Sequence, residues 1–349
     1  MRGEYKVPGG KLVVVDLDVS EQRLERVSVS GDFFLEPDTA LATINAALTG
    51  MPEDASVAQF ARAITTALDD SATLIGFSAE AVGIAARRAL GRATGWHDHV
   101  FDVIEPVRMD PVRHVALDEV IADEVAAGRR APTLRLWDWN DSVVVIGSFQ
   151  SVANEVDMDN ARSHGTDVVR RITGGGAMFM EPGNCITYSL VVPASLVEGL
   201  SIERSYAFLD DWVLGALADV GIAAHYVPLN DIASDKGKIG GAAQKRFASG
   251  AVLHHATLAY DIDAQRMTQV LRIGREKLSD KGIASANKRV DPMRAQTGMA
   301  RDEIMRAFLA HFAQRYATRE SDYTQAELAH ADELARTKFL DPKWTYRVP

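Results

Sequence analysis

The chain has 349 residues, 47% of them hydrophobic and 25% charged, an ordinary globular composition with room for about two domains of ~150 residues each. Thirty-eight basic against forty-eight acidic residues leave a net charge of −10, which works against non-specific binding to nucleic acid or to an anionic membrane. A single cysteine, Cys185, excludes an internal disulfide, and the opening MRGEYKVPGGKLVVVDLD has no apolar signal core, so the expected setting is cytoplasmic.

From Lys11 to Val29 apolar and polar residues alternate on either side of Ser20 to Gln22, predicting a hairpin. After Pro37 and Asp38 the spacing turns helical. Val57, Phe60, Ala61, Ile64 and Leu68 share one face, and another helix is expected over 78–90. These elements make a small α+β unit. It ends in TGWHDHVFDVIEPVRMDP (94–111), a polar, proline-punctuated stretch that reads as a connection. The expected domains are therefore 1–98 and 99–349. The second opens with a helix from about 112, behind the start signal Asp110-Pro111, with Leu117, Val120, Ile121 and Glu124 or Val125 marking its repeat. Strands are expected at 133–137, 142–147, 167–171, 185–193, 237–247 and 251–262. A helix over 201–220 would bury Phe208, Leu209, Trp212, Leu217 and Val220 and stop at Gly221, and further helices are expected over 263–272, 301–317 and 325–338. The fold class is α+β, with a mixed sheet in the larger domain.

Three stretches can carry chemistry. RRITGGGAMF (170–179) sets Arg170 and Arg171 just ahead of Gly174, Gly175 and Gly176. A glycine run between strands is either a plain hairpin or bulge, or backbone cleared of side chains so that its N–H groups can face an anion. The arginines favour the second, being fixed charged forks for carboxylate or phosphate. In NDIASDKGKIGGAAQKR (230–246), Lys238 stands between Gly237 and the pair Gly240-Gly241, where an ammonium projects from approachable backbone or is merely solvated. Asn230 and Asp231 offer an amide and a carboxylate suited to ribose or to magnesium beside phosphates, or form a simple Asx turn. In LHHATLAYDI (253–262), His254 and His255 must point to opposite faces of a strand, so at most one lines a site. No zinc spacing accompanies them, and His97 and His99 read as surface residues.

In this order and spacing, RRITGGGAMF, Gly183-Asn184, NDI, GKIGGAAQKR and HHATL resemble the lipoate–protein ligases of the biotin/lipoate ligase superfamily. KLSDKGIASANKRV (277–290) resembles the segment that follows in those enzymes, and DPVRHVALDEVI with TLRLWDWNDSVVVIGSFQ resembles their opening. The likeness covers most of residues 110–293. GGKLVVVDLDV, SVSGDFFLEPDTAL and ALTG resemble the small accessory domain that such ligases usually carry at the C-terminus. The closing KFLDPKWTYRVP resembles the junction leading into that domain, as though the gene had been circularly permuted. Met180 and Glu181 stand where family members commonly have a histidine and an aspartate.

The resemblance implies two half-reactions. Lipoate and magnesium-ATP give lipoyl-adenylate and pyrophosphate, and a carrier lysine then takes the acyl group and releases AMP. It implies that Lys238 bridges the carboxylate and the α-phosphate, and that Arg171 with Gly174, Gly175 and Gly176 holds the acyl-phosphate region. Asp231 would bind magnesium beside Asn230, while Gly240, His255 and Arg170 contribute to substrate or nucleotide contact, Arg170 alternatively being structural. Trp137, Val145, Gly147 and Ala177 would wall a narrow apolar slot for the acyl tail, or else simply pack in the strand core. The implied partners are lipoyl carrier domains, of a 2-oxo acid dehydrogenase or of the glycine-cleavage carrier. Lys236, Lys245 and Arg246 are candidates for a local basic docking face. The alternatives are a lipoyl or octanoyl transferase, a biotin ligase and a non-catalytic lipoate-binding protein. The transferase needs a nucleophilic cysteine near the lysine loop or after the histidine strand, and neither place has one.

Overall fold

In the computed structural model, which describes residues 1–69, 71–91, 93–272 and 290–349, the chain divides into two units. One is Met1–Asp98 with Ala194–Phe208; the other is His99–Pro193 with Leu209–Pro349. Except for Val290, the stretch KLSDKGIASANKRV (277–290) lies outside the described residues.

The first unit starts with β1 (Arg2–Lys6), β2 (Leu12–Ser20) and β3 (Arg23–Gly31), an antiparallel sheet in that order. The expected hairpin is β2–β3, closed through Glu21 and Gln22, both at positive φ, as a two-residue right-twisted turn requires. β1 escapes sequence reading because only Gly3 and Tyr5 of its five residues face inward. Strands β4 (Phe34–Glu36) and β5 (Thr73–Ile75) form a separate ribbon. Helices α1 (Ala40–Leu48), α2 (Val57–Ala67) and α3 (Ala79–Leu90) complete the layer. α2 starts with a capping box of Ser56 and Gln59 and buries Phe60 and Ile64. Buried Arg88 of α3 gives Nε–H to Glu4 O at 2.6 Å and Nη1–H to Leu196 O at 2.9 Å, tying Ala194–Phe208 into this unit.

The second unit is built on an eight-stranded mixed sheet. Its strands are β6 (Phe101–Met109), β7 (Thr133–Trp139), β11 (Cys185–Pro193), β12 (His225–Val227), β13 (Asp231–Ser234), β14 (Gly237–Arg246), β15 (Ala251–Ala259) and β16 (Thr318–Glu320), in the order β12-β13-β14-β15-β11-β7-β6-β16. β6 runs parallel to β7 and β16; the other pairings are antiparallel. A smaller sheet, β10-β8-β9, joins β8 (Val143–Ile146), β9 (Asp167–Arg170) and β10 (Met178–Met180). β11 and β15 lie between neighbours on both sides and are buried along nearly their full length, polar Thr187, Ser189, His254, His255 and Thr257 included. Helix α4 (Pro111–Ala126) packs on β11 and β15, burying Leu117, Val120, Ile121 and Val125.

One expectation is corrected here. Half of TGWHDHVFDVIEPVRMDP is not a connection: Phe101–Met109 is β6, a strand of the main sheet. Its proline misleads because it sits at a bulge. Ile104 pairs with Arg135 and Val107 with Trp137, so Glu105 and Pro106 together oppose Leu136, and a bulge tolerates a residue without an N–H.

Candidate active site

Strands β7, β8, β10, β11, β13, β14 and β15 bring the glycine loop, the lysine strand and the histidine strand around one cavity. Trp137, Val145, Arg171, Gly176, Ala177, Met178, Met180, Asn230, Lys238, Gly241 and His255 are among its lining residues. Its cavity volume is about 120 Å³, below the usual range of small-molecule sites and so a narrow slot.

At one side of the cavity Lys238 Nζ lies 2.8 Å from Asp231 Oδ1, the lysine side chain 38% and the aspartate 18% exposed. This pair crosses Gly241, where an added Cβ would come 3.1 Å from Nζ and 3.5 Å from Oδ1. Gly240 does a different job. Its Cβ would strike Leu258 Cδ2 at 2.4 Å and Thr257 O at 2.6 Å, so it permits close strand packing, and it is not among the cavity's lining residues. The register explains this, since neighbouring strand residues face opposite ways. Asn230 joins the lining, and its amide is committed to Ala242 O at 2.6 Å.

On the opposite side runs the glycine loop. Gly175 has φ +87°, a conformation open to glycine at little strain. Gly147 is where β8 ends, and its missing Cβ leaves room for Gly175 O, which would lie 2.1 Å away; it therefore seats the loop and does not wall the slot. Arg171 braces the loop from beneath. Its Nη2 donates to Gly174 O at 2.6 Å and Gly176 O at 2.9 Å, its Nη1 to Val145 O at 3.1 Å, and its Nε to Thr173 Oγ1 at 2.9 Å. With these carbonyls drawn inward, the N–H groups of Gly174, Gly175 and Gly176 have no acceptor among the described residues. Arg170 is not at the cavity. Fully buried, it donates from Nε to Thr345 O at 2.9 Å and from Nη1 to Gly147 O at 2.9 Å and Gln150 O at 2.7 Å. Its structural alternative is the one that matches these contacts.

The two histidines diverge as their strand demands. His254 faces away, 2.7 Å from buried Asp210. His255 lines the cavity, with Nε2 at 2.7 Å from Thr173 Oγ1 and Nδ1 at 2.7 Å from Asp118 Oδ2. Burial pushes the His255 pKa down, with Asp118 opposing. For Asp118, burial works against its charge, but Arg135 and His255 outweigh that and hold the carboxyl at about 2. Asp118, Thr173, Arg135 and Ser189 were not singled out in the sequence. The available signal was His114 and Asp118, four apart on a helix whose other inward residues are largely apolar. Of the slot walls, Trp137, Val145 and Ala177 line the cavity, and Met180 joins them, while Glu181 pairs with Arg266. Gly183-Asn184 is a turn whose Asn184 carbonyl accepts N–H from Tyr260 and Asp261. Cys185 is fully buried, and burial pushes its thiol up to about 12.

A family model, lipoyl protein ligase A/B catalytic domain, matches residues 110–313, more than half of the chain. The chain belongs to this family. An octanoyltransferase LipM of Symbiobacterium thermophilum is 30% identical over 264 residues, covering 67% of this chain and 93% of its own. Among solved structures, one from an archaeal lipoylation system, a bi-partite lipoate protein ligase and its E2 lipoyl domain from Thermoplasma acidophilum, aligns with TM-score 0.63 and 28% identity over 72% of this chain and 98% of that one. A lipoate-protein ligase A bound with ATP aligns with TM-score 0.60 and 25% identity over 72% of this chain and 99% of that one. The mixed-sheet architecture is therefore that of the lipoate ligases, and the chain is a lipoate or octanoate ligase-transferase family enzyme.

Proposed function

We propose that this family member is an ATP-dependent lipoate–protein ligase, forming lipoyl-AMP and passing the lipoyl group to a carrier lysine. The observation that carries this reading is Lys238, held 2.8 Å from Asp231 and lining one cavity with Gly176 of the glycine loop. A carboxylate resists attack by an amine, so the acid must first be activated. In adenylation a carboxylate oxygen bonds to the α-phosphorus and pyrophosphate leaves; in transfer the amine nitrogen bonds to the acyl carbon and AMP leaves. Both steps develop negative charge on oxygens near the acyl-phosphate junction. Lys238 supplies a counter-charge to it, and the loop N–H groups supply fixed dipoles, so little reorganisation is needed.

Magnesium fits this donor set as a companion of phosphates. Among the described residues no group of three or more His, Cys, Asp or Glu is arranged to cage a metal, and magnesium typically takes one or two carboxylates with phosphate and water completing its shell. Asp231 would hold it, and the ion would neutralise phosphate charge. Trp137, Val145, Ala177 and Met180 give the acyl tail an apolar slot. The ATP-bound relative and the archaeal ligase with its lipoyl domain support nucleotide and lipoyl-carrier partners for this chain. We also assign residues 1–98 to the ligase accessory domain, permuted to the N-terminus, and 99–349 to the catalytic domain.

The LipM relative supports a second reading, acyl transfer from a carrier. Transfer through an enzyme thioester needs an accessible thiolate, whereas the single cysteine is buried with its thiol neutral. ATP–pyrophosphate exchange with lipoate, octanoate and biotin in separate reactions tests both. The ligase reading expects exchange with lipoate and full retention of it in Cys185→Ser. ATP-independent octanoyl transfer that disappears in Cys185→Ser would replace it with the transferase reading.

A further inference from the structure

Behind the cavity runs a buried chain of hydrogen bonds whose polarity is fixed at every link. Asp118 Oδ1 accepts from Arg135 Nη2 at 2.5 Å and from Ser189 Oγ at 2.6 Å. Asp118 Oδ2 faces His255 Nδ1 at 2.7 Å. An ionised carboxylate only accepts, so Nδ1 carries the proton, and since burial keeps the His255 ring neutral, Nε2 is left as an acceptor. Thr173 Oγ1, 2.7 Å from Nε2, must then donate there, which leaves its lone pairs to receive Arg171 Nε–H at 2.9 Å. Arg171 in turn grips Gly174 O and Gly176 O. A second branch leaves the same carboxylate: Ser189, whose hydroxyl donates to Asp118, accepts Trp137 Nε1–H at 2.8 Å. One carboxylate thus secures both a wall of the acyl slot and the loop at the reacting end.

We propose that Asp118, His255 and Thr173 are positioning residues that hold the slot wall and the glycine loop in one register, so that an acid of one chain length presents its carboxylate to Lys238. This rests on the reading of the cavity as an acid-activating site. It does not require any of the three to touch the reacting atoms. Reach is what a misplaced loop changes first: an acid seated against Trp137 would meet the loop too early or too late, and geometric misplacement near 1 Å is enough to slow such a step about a hundredfold.

The test uses full-length protein carrying Thr173→Val, which keeps shape and removes the hydroxyl, and Thr173→Ser, which keeps the hydroxyl. ATP–pyrophosphate exchange is measured with hexanoate, octanoate and decanoate, the binding of each acid is measured by calorimetry, and melting temperatures are compared. The valine variant is expected to lose about tenfold or more in kcat/KM for the preferred acid, to flatten the preference among the three lengths, and to melt within a few degrees of wild type. Serine is expected to restore both rate and preference. A valine variant like wild type, a uniform loss with the length preference intact, no rescue by serine, or a wild type without length preference each overturns the proposal. If the wild type exchanges with none of the acids while binding them, the ligase reading fails, and the binding series decides instead. A length preference in affinity that Thr173→Val flattens then supports the register, and one left intact overturns it.

Discussion

Lys238 is half-exposed and its pairing with Asp231 is open to solvent, so its removal should leave stability nearly unchanged while removing the cavity's mobile positive charge. Lys238→Ala is expected to lower pyrophosphate exchange about a hundredfold, comparable to loss of one oxyanion donor. Near-normal exchange by the folded variant would refute that role. Gly241→Ala probes the same group from below. The new methyl, 3.1 Å from the ammonium, must push it aside, so exchange should fall about tenfold with an unchanged melting temperature. His114 makes a different prediction. Burial, with Arg135 adding to it, lowers its pKa to about 3, and His255 is lowered as well. Both then bind fewer protons folded than unfolded, so stability is complete above an unfolded value of about 6.5 and is lost as pH falls below it. Urea midpoints should drop between pH 7 and pH 5, with His114 contributing up to about 1.4 kcal/mol per pH unit. His114→Gln should flatten that slope, and equal slopes in the two proteins would contradict the assignment.

Elements show how far local chemistry decides shape. The β2–β3 turn closes tightly although it offers Glu21 and Gln22 at φ 51° and 62°, where a side chain is strained by roughly 1 kcal/mol per residue. Replacing the pair by Asn-Gly should therefore stabilise the first unit by about 1 kcal/mol. Denaturation midpoints measure this, and a lower midpoint would mean that the side chains make contacts worth more than the strain. The glycine loop shows the reverse balance. Its conformation is held by Arg171 and by the gap at Gly147, so the flexibility of three glycines is confined from outside.

For the whole chain, the decisive feature is that the first unit is discontinuous. Arg88, Thr94 and Glu80 hold Leu196, Ser195 and Arg204 of Ala194–Phe208, and Leu196, Val197 and Leu200 are buried. A fragment of residues 99–349 keeps this segment without those partners. It should aggregate or melt several degrees lower than the full chain, and added residues 1–98 should raise its solubility. A fragment as stable and monodisperse as the full protein would show that the segment does not need its partners in residues 1–98.

Charge balance, the hairpin, most helices and the central strands were legible because side-chain periodicity is a local property of the chain. The adjacent histidines illustrate this best: alternation alone requires them to part, and they do. Local pattern could not show that Phe101–Met109 is a strand, because a bulge hides its proline and its partner β7 is remote. Alternation did separate Arg170 from Arg171, but it could not distinguish Gly240 from Gly241, whose roles depend on which atoms lie across from each. Asp118 remained one of four acids on its helix until the sheet brought Arg135, Ser189 and His255 to it. Such a contact joins residues far apart in sequence, and only closure of the fold can create it.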